Sequence, residues 1–174
     1  NNKKLFLNIG RFCKQKNQQL LVRSFANFVK KEKNYKLIII GDGPDKIKLL
    51  QLVNDLSMKQ NISIKNWNSN LTSYYKKSSV FILTSFYEGM PNVLIEAINY
   101  NIPSIATDVS GVSDLLINGK GGKILKGFEQ PELEKTLFQL TKNYNYFIGK
   151  TKIAKKYLYR FEINNAAKKY INFL

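Results

Sequence analysis

The sequence has no histidine, one cysteine, four prolines and one tryptophan in 174 residues. Without an imidazole there is no Ser-His-Asp or Cys-His nucleophile system and no imidazole general base. Cys13 alone cannot build a thiolate zinc site or an internal disulfide, and a reducing compartment is expected. No apolar run approaches the roughly 20 residues of a membrane-spanning helix, and no signal peptide opens the chain at Asn1, so a soluble, cytoplasmic-type domain is expected. Carboxylates are scarce too: 12 Asp+Glu stand against 28 Lys+Arg, a net charge of +16. Arginine is rarer still, present only as Arg11, Arg23 and Arg160.

What remains is a folded chain. Hydrophobic residues at 44%, with 13% aromatics, exclude a disordered composition. The length suits one domain that buries roughly 70% of its extended-chain surface. The lysine excess, beside heavy Asn, Ile and Tyr usage, reads first as a solvated surface. It can also concentrate phosphorylated ligands or rest against anionic lipid. An arginine-rich stripe, a recognition helix and a stacking platform are all missing, so no nucleic-acid partner is expected. A basic nucleic-acid-binding module stays as the alternative from another class.

Short β-branched runs alternate with helical patterns along the whole chain, which predicts an α/β domain on a parallel sheet. Candidate strands are Leu5 to Ile9, Leu37 to Ile40, Ile62 to Ile64, Val80 to Leu83, Ser104 to Thr107 and Lys123 to Leu125. Leu20, Leu21, Ser24, Phe25 and Phe28 mark a helical face, and Ile47, Leu50, Val53 and Leu56 a second. Further helical segments are expected from Leu71 to Lys77, from about Pro91, from Gly111 to Leu116 and from Pro131 to Leu140. A polar region then precedes a last helix to about Phe173. The sum is a Rossmann-like open parallel sheet of about six strands, helices on both faces, in one domain spanning 1–174.

In such sheets ligands bind beyond the carboxyl ends of strands, so the loops after Ile9, Ile40, Ile64, Leu83 and Thr107 are the places for chemistry. Gly10-Arg11 with Lys16 combines close backbone approach, a planar fork and a second cation, a set suited to pyrophosphate or to an ordinary loop surface. Gly41-Asp42-Gly43-Pro44 lacks the third glycine of a dinucleotide fingerprint and reads as a tight strand-to-helix turn. A dinucleotide dehydrogenase is a weaker rival for that reason, and because no acid is placed for adenosine ribose. The segment from Ser85 to Glu96 is richer. Glu88 and Glu96 flank Gly89-Met90-Pro91, and the backbone N–H groups of Asn92, Val93 and Leu94 are expected to be free at a helix start. Glu96, in an otherwise apolar helix, needs partners or exposure, and a ribose diol would satisfy both its oxygens.

Taken together, Gly10-Arg11, Lys16, the Gly41 turn, Glu88 and Glu96 around Gly-Met-Pro-Asn, and Ile102 to Asp108 resemble the retaining GT-B glycosyltransferases of family 4, or group 1. The resemblance is to their C-terminal, nucleotide-sugar-binding domain and covers nearly the whole chain. It implies that Arg11 and Lys16 hold the donor diphosphate, that Glu88 contacts the donor sugar, and that Glu96 takes the ribose. Gly10, Gly41, Gly89, Met90, Pro91, Asn92, Val93 and Leu94 would line the site, with Asn66 and Trp67 near the base. Asn66 stands where the family often has glycine, and Ser110-Gly111-Val112 replaces a double-glycine turn. The resemblance further implies a UDP- or GDP-sugar donor, no cofactor and no metal, and peripheral contact with anionic membrane on the cytoplasmic face. It implies an N-terminal acceptor domain, absent here, supplied in cis or in trans. Alone, the chain is expected to bind nucleotide weakly and to transfer nothing. A non-catalytic partner of a split transferase is the nearest alternative.

Overall fold

The computed structural model describes residues 4–161. Six strands, β1 (Leu5–Ile9), β2 (Lys36–Gly41), β3 (Ile62–Asn66), β4 (Val80–Leu83), β5 (Ser104–Thr107) and β6 (Lys123–Leu125), lie in the order β3-β2-β1-β4-β5-β6. Every ladder is parallel. Among the described residues seven α-helices connect and cover them: α1 (Gln18–Lys31), α2 (Lys46–Asp55), α3 (Thr72–Lys77), α4 (Asn92–Asn99), α5 (Val112–Leu115), α6 (Gln130–Lys142) and α7 (Tyr144–Tyr157). The expected α/β architecture and all six strands are present.

The strands are apolar on both sides because helices cover both faces, and side chains sort between the layers with period two. Phe6, Leu37, Ile39, Val80, Ile82 and Ile105 join one layer, with Phe25 and Phe28 of α1 and Leu133 and Leu137 of α6. Leu7, Ile9, Ile40, Phe81, Leu83 and Ala106 join the other, with Leu94 and Ile98 of α4 and Ala154 of α7. Phe6 is the hub of the first layer, its ring 5.4 Å from Phe25 and 5.7 Å from Phe28.

The strand order reverses between β1 and β4, where the connections lead away in opposite directions and leave a crevice. The β1–β4 ladder is short, holding the pairs Phe6↔Val80 and Leu7↔Phe81. Beyond it the buried Asn8 side chain donates from Nδ2 to the Ile82 carbonyl at 2.8 Å. The two strands therefore part as they approach their carboxyl ends, and the loops that follow border the gap.

Two helical expectations need correction. Ile47 is 77% exposed and Leu50 45%, whereas Leu49 and Val53 are the buried residues of α2. A strict three-residue spacing drifts by about 60° per step around a helix that turns about 100° per residue, so Ile47 and Leu56 end on opposite sides. The true inner stripe runs through Leu49 and Val53, four apart. The polar region expected after Leu140 does not separate the helices by a loop: Thr141 and Lys142 continue α6, and Asn143 alone joins it to α7. Tyr144 and Phe147 anchor the start of α7, the Tyr144 hydroxyl donating to the Ser79 carbonyl at 3.1 Å and Phe147 being buried. The end of the last helix near Phe173 lies outside the described residues.

Candidate functional site

The β1–α1 and β4–α4 loops face each other across the crevice and are stitched together at several points. The Phe86 amide donates to the Gln15 carbonyl at 2.8 Å, and Gln15 Nε2 donates to the Tyr87 carbonyl at 2.9 Å. The Thr84 hydroxyl donates to the carbonyls of Lys16 and Asn17 at 3.0 and 3.1 Å. Thr107, at the end of β5, fixes the same loop from its other side by donating to the Ser85 carbonyl at 2.6 Å. Gln18 Nε2 reaches back to the Arg11 carbonyl at 2.9 Å.

This frame brings Lys16 and Glu88 into an ion pair, with Nζ 2.6 Å from Oε1 and side chains only 19% and 8% exposed. Ser85 Oγ donates to the same carboxylate oxygen at 2.6 Å. The alkyl stem of Lys16 runs over Gly10, where a Cβ would stand 3.4 Å from Lys16 Cδ. Arg11 behaves differently. It is exposed, and its guanidinium has no hydrogen-bond or carboxylate partner among the described residues.

The Gly89-Met90-Pro91 corner rests on the β5–α5 turn. Gly111 adopts φ +77°, and a Cβ there would come within 2.6 Å of the Gly89 carbonyl oxygen. Only glycine permits both that conformation and that approach. Pro91 precedes the helix rather than opening its first turn, and its carbonyl accepts from the Leu94 amide at 2.9 Å. Leu94 is therefore not among the free donors expected at this helix start. The Asn92 and Val93 N–H groups carry no hydrogen bond among the described residues and remain at the positive end of the helix dipole.

Glu96, in the second turn of α4, accepts a hydrogen bond on Oε2 from the Tyr75 hydroxyl at 2.7 Å. Its Oε1 has no partner among the described residues. Tyr75 is buried, stacked parallel on Tyr100 with ring centres 5.2 Å apart, and the Tyr100 hydroxyl donates to Thr72 Oγ1 at 3.2 Å. Burial, then the hydrogen bond and negative charge of Glu96, push the Tyr75 phenol well above its ordinary range. It stays a neutral donor, so one carboxylate oxygen is held and the other is left open.

Gly41 is a packing residue: a Cβ there would lie 2.0 Å from the Gly10 carbonyl oxygen and 2.8 Å from the Phe12 ring. It lets the β2 end pass beneath the β1–α1 loop, where the Phe12 amide donates to the Asp42 carbonyl at 2.8 Å. Asn66 ends β3 with its side chain exposed, and Trp67 is exposed too, held by its amide to the Gly41 carbonyl at 2.9 Å. Thus Gly10, Lys16 and Glu88 meet at one rim, with Arg11 on the same β1–α1 loop and Glu96 one turn into α4. Asn66 and Trp67 stand on the same end of the sheet, two strands away. Sequence reasoning missed Gln15, Thr84, Ser85, Thr107 and Tyr75. Only Ser85 left a signal, a hydroxyl three residues before the carboxylate it touches.

Residues 1–157 match the family model "Glycosyl transferases group 1". The chain belongs to that family. An uncharacterized glycosyltransferase of Methanocaldococcus jannaschii is 43% identical over 104 residues, 60% of this chain and 26% of that protein. A Campylobacter jejuni protein named as an N-acetylgalactosamine-N,N'-diacetylbacillosaminyl-diphospho-undecaprenol 4-alpha-N-acetylgalactosaminyltransferase is 31% identical over 137 residues, 78% of this chain and 36% of that one. The crystal structure of Anabaena HepE in complex with UDP superposes with a TM-score of 0.87 at 19% identity, over 99% of this chain and 50% of that one. This group 1 chain spans 26% to 47% of the curated relatives it matches. Its six-stranded sheet is the Rossmann-like domain of the GT-B fold.

Proposed function

We propose that this group 1 chain is the donor-binding domain of a retaining family 4 glycosyltransferase, taking a UDP- or GDP-sugar. The observation that carries the reading is the Lys16–Glu88 pair across the β1/β4 crevice, on the rim that also carries the Arg11 guanidinium and the Asn92 and Val93 amides, which have no partner among the described residues. These are a cation pair and dipoles suited to a diphosphate. UDP in the fold neighbour HepE agrees with that ligand class.

Cleavage of the bond between the anomeric carbon and the β-phosphate oxygen puts negative charge on the leaving diphosphate and positive character on the sugar ring. Lys16 and the α4 amides, already oriented before the bond breaks, receive the developing negative charge together with Arg11. Glu88, held by Lys16 and Ser85, orients the sugar hydroxyls. The acceptor hydroxyl attacks from the leaving-group side, its proton passing to the departing phosphate oxygen, so configuration is retained and no side chain serves as base. Charge neutralisation by cations and amides assigns no part to a divalent metal, and EDTA should leave UDP binding unchanged. Glu96, through its open oxygen, takes a ribose hydroxyl.

The acceptor site belongs to an N-terminal domain supplied in cis or in trans, so the isolated chain binds donor and transfers no sugar. The diphospho-undecaprenol substrate named for the Campylobacter relative suggests lipid-linked or cell-surface glycan synthesis at the cytoplasmic face of the membrane. Titration calorimetry tests the donor reading. Arg11→Ala should weaken UDP about tenfold and leave uridine unchanged, as expected for loss of one charge-assisted hydrogen bond. Glu88→Gln should weaken the intact sugar nucleotide more than UDP. Equal affinity for UDP and uridine in the unaltered chain would refute the assignment.

A further inference from the structure

A cavity lies at the end of the sheet opposite the crevice. Ser78 precedes β4 and Ile102 precedes β5, and both border a space of about 440 Å³ whose other walls come from α3, the turn that follows α4 and the start of α7. That volume falls within the range of about 300–1,000 Å³ typical of small-molecule sites. Glu88 and Gly89 follow the carboxyl end of β4, so the cavity stands apart from the candidate donor rim.

Three tyrosines line it, and each hydroxyl is spent on a group outside it: Tyr75 on Glu96 at 2.7 Å, Tyr100 on Thr72 at 3.2 Å and Tyr144 on the Ser79 carbonyl at 3.1 Å. What they contribute to the walls is ring surface. Tyr75 covers one face of Tyr100, the two rings lying 5° from parallel, yet Tyr100 stays 37% exposed. The stack therefore ends in a single open face. Beside it stand Asn101 and Asn145, on separate elements and both exposed, whose side chains make no hydrogen bond among the described residues. A left-handed backbone, φ +56°, accounts for an asparagine at 101. It does not account for Asn145, which lies on a helix. No Asp or Glu lines the cavity, and Lys76 is its one charged wall residue.

We propose that this cavity is a sugar-binding site, taking a neutral pyranose with its apolar face on Tyr100 and its hydroxyls on the Asn101 and Asn145 amides. A pyranose has one face of C–H groups and a rim of hydroxyls that both donate and accept, and a side-chain amide answers them with donors and an acceptor. Other small ligands fit less well. A cation would meet Lys76 and no carboxylate, and an anion would meet the negative faces of the rings. A nucleobase has two apolar faces, and a stack with a single open face leaves one of them in water. The inference stands on ring surface, amides and charge, and is independent of the donor reading.

Proton–nitrogen NMR of the whole chain tests it, titrating glucose, maltose, N-acetylglucosamine and chitobiose with and without excess UDP. At least one of them should shift the side-chain amides of Asn101 and Asn145 saturably, and UDP should not displace it. Asn101→Gly, which suits the left-handed backbone, combined with Asn145→Ala should weaken binding about tenfold, as expected for two lost hydrogen bonds. Tyr100→Leu should weaken it about fivefold through loss of the ring face. A disaccharide held more tightly than its monosaccharide makes the source a glycan chain, and equal affinity makes it a free sugar. Silence of both amides with all four sugars would overturn the proposal. So would displacement by UDP, full binding in the asparagine double variant, or the same shifts with adenosine and with none of the sugars. Thermal unfolding of each variant confirms that the substitutions leave the fold intact.

Discussion

The two ends of the candidate donor site are built in opposite ways. At the β1/β4 crevice the side chains other than the exposed Arg11 are fixed before any ligand arrives: Lys16 and Glu88 are paired, Ser85 joins them, and Gln15, Thr84 and Thr107 tie the loops. At the β2/β3 end the Trp67 amide is held to the Gly41 carbonyl, while the Asn66 and Trp67 side chains face solvent. The difference follows the chemistry. Where charge must develop, a preset geometry lowers the reorganisation required, whereas a flat aromatic base can be held by a surface that adjusts.

The sharpest way to break this contrast is to remove one partner at the rigid end. Lys16→Met leaves Glu88 as a largely buried, uncompensated charge and should cost about 3 kcal/mol of stability by chemical denaturation. Adding Glu88→Gln should recover most of that stability while UDP binding stays lost. Recovery of both would show that the pair is structural only. Tyr75→Phe comes next in size. It releases the held oxygen of Glu96 and should weaken UDP about tenfold while narrowing its advantage over 2',3'-dideoxy-UDP and leaving pyrophosphate binding unchanged. Uniform weakening of all three ligands would indicate a packing defect instead.

At the open end the effect should be smaller. Trp67→Ala should weaken UDP about fivefold, the lower range for loss of one base–aromatic stack. Trp67 is the sole tryptophan, so its emission reports directly on that end. A nucleotide titration that leaves this emission unchanged would move the base elsewhere. The smallest effect is alkaline. Burial raises the phenols of Tyr75, Tyr35 and Tyr144 above their ordinary value of 10.0. Below that pH the folded and unfolded chains both keep these protons and stability is flat. As pH rises past it the unfolded chain loses them first, so stability falls. Tyr75→Phe should make that fall shallower in unfolding curves measured from pH 9 upward.

The sheet was legible because buried parallel strands announce themselves as short apolar runs between turns, as Leu37 to Ile40 and Val80 to Leu83 do. Leu49 was missed because the five apolar residues of α2 fit two different phases, and only the neighbouring strands choose between them. At the site, residues defined by charge or by glycine stood out: Arg11, Lys16, Glu88, Glu96 and Gly10. Gln15, Thr84 and Thr107 did not, since each acts on a carbonyl 22 to 72 positions away, a relation that exists only after folding. Tyr75 looked like one more aromatic in a tyrosine-rich chain until its hydroxyl was seen to end on Glu96.

The short β1–β4 ladder has a mechanical corollary. With two residue pairs across it, this is the shortest of the five ladders, and it divides the sheet into three strands on either side that are joined again by the core layers packed on both faces. A molecule that touches both Arg11 and Asn92 would act as a clasp over the seam. Its arrival should then slow amide deuterium uptake in β1 and β4 together, well beyond the residues it touches.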